Sequence, residues 1–186
     1  MKISISNIAW EISDDEMMAN ILNKYDINAI DIAPGKYFHD PINAGDNEIK
    51  QVRDWWNSKG IEIIGMQSLL YGTIGLNLFS TMSVRKSMLT HLDSMCRIGS
   101  GLGAKHLVFG SPKNRDRKEL TDKEVFEISI PFFRELGSIA LEHDVDICIE
   151  PNPPIYGANF LTTSKDTALF VEKVDHSNIK MQLDTG

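Results

Sequence analysis

Apolar residues along this chain follow two alternating rhythms. Short runs rich in branched and aromatic residues read as six strands: Ile3 to Trp10, Ile27 to Ala33, Ile61 to Met66, Lys105 to Phe109, Val145 to Ile149 and Ile179 to Leu183. Between them, apolar residues recur every three or four positions, the spacing of one helix face. Met17, Ile21 and Leu22 mark the first helix, and Ile49, Val52, Trp55 and Trp56 the second. Val84, Met88, Leu92, Met95 and Ile98 mark a long third helix, and Val125, Phe133, Leu136, Ile139 and Ala140 a fourth. A fifth spans Thr167 to Val174, with Leu169, Phe170 and Val174 inward.

The punctuation agrees with this reading. Ser13 to Glu16 and Thr121 to Glu124 both have the form of a capping box, in which the two side chains satisfy free amides at a helix start. Pro34-Gly35 stops the second strand and Gly60 closes the second helix. Pro131 predicts a kink or a restart within the fourth helix.

Six short apolar strands alternating with helices predict an α/β fold built on a parallel sheet. An open doubly wound sheet would carry a Gly-rich phosphate loop after the first strand, where this chain has Ala9-Trp10-Glu11-Ile12-Ser13. A TIM barrel needs eight βα units and typically about 250 residues. Six units in 186 residues therefore read as three-quarters of a barrel: a single domain, 1–186, cut short after its sixth strand. Its first and sixth strands would be open edges, to be covered by a helix, a loop or a second copy in a homo-oligomer.

Composition narrows the function classes. Hydrophobic residues make up 42% and charged residues 24%, which excludes a disordered or fibrous chain. A formal net charge of -7 gives no long-range attraction to a phosphate backbone, so nucleic acid is not an expected partner. No apolar run approaches the roughly 20 residues needed to cross a membrane. Cys96 and Cys148 form neither a CxxC pair nor a disulfide framework, which suits a reduced cytoplasm.

In a parallel α/β architecture the chemistry sits at the carboxyl ends of the strands. Here those ends carry Trp10-Glu11, Asp31 to Pro34, Gln67-Ser68, Gly110 to Lys113, Glu150-Pro151-Asn152 and Asp184. Glu150 and Asp184 each follow an apolar strand, so both carboxylates can converge on one divalent cation; the alternative is that they cap helices or pair with basic side chains. Hard oxygen ligands suit Mg²⁺ or Mn²⁺, and a histidine in the set would admit Zn²⁺ or Co²⁺. Ser111, Lys113 and Arg115, with Asn152 beyond Glu150, are candidates to contact a polyhydroxylated or anionic substrate, against the alternative of a solvated loop. Trp10 is either an apolar wall for a sugar ring or an ordinary core tryptophan. Among the histidines, His39 alone follows a strand end; His91, His106, His143 and His176 read as structural.

The runs V-F-G-S-P-K-N-R (Val108 to Arg115), I-E-P-N-P (Ile149 to Pro153) and M-Q-L-D-T-G (Met181 to Gly186) resemble the sugar phosphate isomerase/epimerase proteins, whose TIM barrel is similar to xylose isomerase. S-I-S-N-I-A-W and A-I-D-I-A-P fit as well. The resemblance covers the whole chain. It implies a TIM (β/α)8-type barrel and a metal-dependent isomerase or epimerase acting on a sugar or sugar phosphate through an enediolate. It also implies that Glu150 and Asp184 are two of four metal ligands, with Mn²⁺ expected first and Mg²⁺, Co²⁺ or Zn²⁺ as alternatives. Glu150 would also be the acid/base group. The other two ligands, a His and a Glu, come from later strands in that family, so the native gene product is expected to continue past Gly186. The competing readings are a non-catalytic barrel serving as a binding or assembly module and an apurinic-site endonuclease, whose strand-end histidines this chain lacks.

Overall fold

The structure, a computed structural model, describes residues 2–183. Strand and helix alternate throughout: β1 (Ile5–Ser6), α1 (Asp15–Lys24), β2 (Ala29–Ile32), α2 (Asp46–Ser58), β3 (Glu62–Met66), α3 (Met82–Leu102), β4 (His106–Phe109), α4 (Asp122–Glu142), β5 (Asp146–Ile149), α5 (Ser164–Val174) and β6 (Ile179–Met181). All neighbouring strands pair in parallel, in the order β1-β2-β3-β4-β5-β6. Each helix therefore returns the chain to the next position along one continuous wall, the arrangement of a TIM barrel, here with β1 and β6 at its two ends.

Strand period explains which side chains are buried. Leu107 and Phe109, two residues apart, face the helices: Leu107 lies against Gly99 of α3, and Phe109 meets Phe133 of α4 edge-on at 5.2 Å. Ile30, Ile32, Ile147, Ile149 and Ile179 are buried likewise. The intervening positions face the other way and include polar groups, such as Asp31, which accepts from Ser4 and lies over Gly65. An aromatic chain from Phe133 through Phe170 and Phe160 to Phe79 fastens α4 and α5 to the loops above them.

Helix ends follow the expected chemistry at most sites. Thr121 and Glu124 form a reciprocal capping box at the start of α4. Gly103 takes a left-handed φ of 85° after α3, a conformation that suits glycine because it has no Cβ.

Three expectations are corrected. The first strand is much shorter than Ile3 to Trp10: after Ser6 the chain turns into a 3₁₀ segment, Asn7–Ala9. Ser6 Oγ accepts from the Ile8 amide, and the buried Asn7 Oδ1 accepts from the Ala33 amide at 2.7 Å, so side chains take over from the ladder. Ser13 and Glu16 make no capping box, because Ile12–Asp14 is a 3₁₀ turn leading into α1 and Glu16 pairs with Lys59 instead. Of the kink or restart expected at Pro131, the restart does not occur: α4 runs on as one helix through it. No helix among the described residues is long and apolar enough to cross a membrane.

Candidate active site

A cavity of about 210 Å³ opens at the carboxyl end of the sheet. Gln67 to Tyr71, which follow β3, form one side. Val108 to Ser111 at the end of β4 form another, and Glu150 after β5 closes it. Its position follows from the topology, since every strand of a parallel sheet delivers its C-terminal loop to the same edge.

Glu150 continues the pairing of β5 with β4 by one residue, its amide donating to the Phe109 carbonyl at 3.1 Å. Ile149 is turned to the helices, so the strand alternation turns Glu150 to the opposite side. Gly110 is its neighbour there, and a Cβ on Gly110 would lie 2.1 Å from Glu150 Oε2. The carboxylate thus occupies space that any side chain at position 110 would fill. Asn152 Nδ2 donates to Glu150 Oε2 at 2.8 Å.

The remaining sequence candidates separate. Arg115 is 1% exposed and lies beneath the site, donating through Nη2 to the Glu150 carbonyl at 2.6 Å and to Asn152 Oδ1. Burial lowers its pKa to about 10, opposed by the nearby Glu150 charge, and it remains a cation at neutral pH. Arg115 does not line the cavity. Ser111 does line it, with its hydroxyl donating to Asn114 Oδ1 at 2.5 Å. Asn114 in turn donates to the Leu76 carbonyl and Thr73 Oγ1, so this loop is tied to the one after β3. Lys113 is exposed and outside the lining. Trp10 is 7% exposed and packs 6.3 Å from Trp56, its indole N–H donating to Asp15 Oδ1 at 2.7 Å. It belongs to the core between α1 and α2 rather than to the cavity wall. His39 is exposed on its loop. Asp184 lies outside the described residues.

One lining residue, Tyr71, escaped the sequence reading, and the parts played by Ser68 and His91 emerge only in the structure. Tyr71 lines the cavity yet is 86% exposed, at its mouth. Ser68 adopts φ 59°, which turns the chain sharply after β3. His91 of α3 fixes that turn through an Nε2 contact of 2.8 Å with the Leu69 carbonyl. Gly110 was visible only as a loop glycine, and its role depends on which side chain crosses above it.

A divalent cation needs several converging donors. Among the described residues, no group of three or more His, Cys, Asp or Glu side chains is assembled to hold one. Glu150 is the one carboxylate among the described residues that line the cavity, a hard oxygen ligand of the kind such a cation takes.

A parallel barrel wall with a carboxylate at its carboxyl edge defines an α/β-barrel protein. The family model for the xylose isomerase-like TIM barrel matches residues 19–186, and the chain belongs to that family. No curated protein matches it by sequence. Among solved structures it is similar to D-psicose 3-epimerase with D-tagatose from Clostridium cellulolyticum H10, at 21% identity and a TM-score of 0.77. It is also similar to a D-psicose 3-epimerase in the presence of D-fructose, at 18% identity and a TM-score of 0.75. In both cases 97% of this chain covers 62% of the other. The IolI protein with a binding zinc atom aligns at 15% identity and a TM-score of 0.74, over 100% of this chain and 63% of that one. The chain thus spans less than two thirds of the length of these structures, and the likeness is one of fold.

Proposed function

We propose that this chain carries the site of a sugar isomerase or epimerase, with Glu150 as the carboxylate that moves a proton on the carbon next to a carbonyl. The observation that supports the reading is the Glu150 carboxylate itself, set against Gly110 at the wall of a sugar-sized cavity on the carboxyl edge. The cavity is smaller than the roughly 300–1,000 Å³ typical of drug-sized ligands, which suits a small substrate. Asn152 holds Oε2, so the carboxylate meets a bound substrate in one orientation and little reorganisation precedes proton transfer.

A free sugar suits the cavity better than a sugar phosphate. Among the described residues that line it there is no lysine, arginine or histidine, while Glu150 contributes negative charge. A phosphate there would meet the Glu150 charge with no cation in the described lining to bind it. Ketoses are the substrates to try first, given the D-tagatose and D-fructose of the two epimerase structures.

A divalent cation belongs to the same proposal: Mn²⁺ first, with Mg²⁺, Co²⁺ or Zn²⁺ as alternatives. It would supply Lewis-acid polarisation of the carbonyl. Glu150 and Asp184 are its proposed ligands within this chain. A cytoplasmic setting and a homo-oligomer complete the reading, the latter supported by the exposed Met17, Ile21 and Tyr25 on and just beyond α1.

The test incubates a ketose panel with the protein and Mn²⁺ in D₂O and follows deuterium entry beside the carbonyl. Glu150→Gln should lower exchange by about 10²–10⁴-fold without loss of fold. Metal content should fall in Glu150→Gln and Asp184→Asn. Undiminished exchange in Glu150→Gln, or none in the unaltered protein with any ketose, refutes the proposal.

A further inference from the structure

We infer that Arg115 and Asn152 are positioning residues that set the orientation of the Glu150 carboxylate through a one-way chain of hydrogen bonds. The inference takes its catalytic meaning from the reading of Glu150 as the reacting carboxylate, while its geometry can be tested separately.

Donor chemistry fixes the direction of each bond in the chain. A guanidinium only donates. Arg115 Nη2 faces Asn152 Oδ1, so that atom must be the amide oxygen. The Asn152 amide nitrogen must then face the other way, where Glu150 Oε2 accepts at 2.8 Å. Turning the amide over would set two donors against each other and a carbonyl oxygen against a carboxylate. The buried cation therefore selects the Asn152 orientation, and Asn152 selects that of Glu150. The same Nη2 donates to the Glu150 carbonyl, so one group fixes both the backbone and the head of the residue.

Arg115 is not placed there by good packing alone. Its Nε and Nη1 are buried without a hydrogen-bond partner among the described residues. An apolar side chain of similar volume would fill that space without stranding donors. What such a side chain would lose is the control of Asn152.

The test uses the full chain labelled with ¹⁵N. The Asn152 side-chain amide should show two separate signals that exchange slowly with water. In Arg115→Met, exchange should speed up by about tenfold or more, with the backbone signals of α1 to β3 unmoved as a check on folding. Arg115→Lys, which keeps the charge without the planar fork, should fall between. Asn152→Asp still accepts from Arg115 but presents a carboxylate oxygen to Glu150 Oε2. Its kcat should fall about a hundredfold with KM little changed. If Arg115→Met does not fold, Arg115→Lys and Asn152→Asp provide the same comparison. Unchanged Asn152 exchange in folded Arg115 variants, or unchanged kcat in Asn152→Asp, overturns the inference. If the Asn152 signals respond as expected but the unaltered protein exchanges no ketose, the positioning chain stands and the isomerase reading fails.

Discussion

Gly110→Ala isolates the contact between the β4 and β5 strand ends. The added Cβ would lie 2.1 Å from Glu150 Oε2 and 3.0 Å from Cδ, more than an ångström inside van der Waals contact with the oxygen. The backbone at Gly110 is not left-handed, so alanine itself introduces no strain there. The clash has one inexpensive relief, rotation of the carboxylate away from position 110, which breaks the bond from Asn152. A hydrogen bond to a charged group contributes about 1.5–3 kcal/mol. Glu150 is only half-buried, so water replaces part of that, and urea unfolding should show a loss of about 1 kcal/mol. Catalysis should suffer far more, since a displacement of about 1 Å can cost about a hundredfold in rate. Gly35→Ala is the control, because a Cβ there meets nothing within 4 Å. The assay pairs urea unfolding with deuterium exchange into a ketose. A Gly110→Ala protein that keeps the Asn152–Glu150 bond and the full exchange rate refutes the steric argument.

The other predictions concern the core. Asp15→Ala removes the shared acceptor of the Trp10 N–H, at 2.7 Å, and the Tyr37 O–H, at 2.8 Å. Each buried donor left unpaired costs about 1–3 kcal/mol, so the denaturant midpoint should drop sharply, whereas Asp15→Asn, which keeps one acceptor oxygen, should lose less. An unchanged midpoint in Asp15→Ala would mean that water satisfies both donors. Burial, reinforced by the Asp93 charge, pushes the Cys96 thiol to about 12, and burial with Asp146 pushes Cys148 to about 11. The unfolded chain loses these protons near 9, while the folded chain keeps them. Stability from the thiols is therefore complete below pH 9 and declines as pH rises toward 11 and 12, by up to about 1.4 kcal/mol per thiol for each pH unit. Urea midpoints between pH 7 and 10 should fall less steeply above 9 in a Cys96→Ala/Cys148→Ala protein; equal slopes would refute the assignment.

Much of the fold is legible in the residue pattern because a parallel barrel wall repeats one local rule. Runs such as Val145 to Ile149 must bury one face against helices. The Thr121–Glu124 capping box is equally legible, since both bonds form within one turn. The Ser13–Glu16 pattern looks the same, yet Ile12–Asp14 winds as a 3₁₀ turn and Glu16 meets Lys59, 43 residues away in sequence. The overlong first strand fails for a related reason. Alternation continues to Trp10, but the buried Asn7 side chain bonds the backbone at Ala33, a partner that no local window contains.

The succession of strands and helices, the α/β class and the presence of Glu150 at the sheet's carboxyl edge follow from the sequence alone, because each depends on periodicity or on position along one strand. The tertiary structure alone decided which candidates share the site. It carried Trp10 into the core beside Trp56 and buried Arg115 beneath Glu150, and it made Gly110 the space into which a carboxylate fits. These outcomes depend on contacts between residues about 35 to 46 positions apart. Such contacts are set by the register of β4 against β5 and the packing of α1 against α2, which no stretch of sequence specifies by itself.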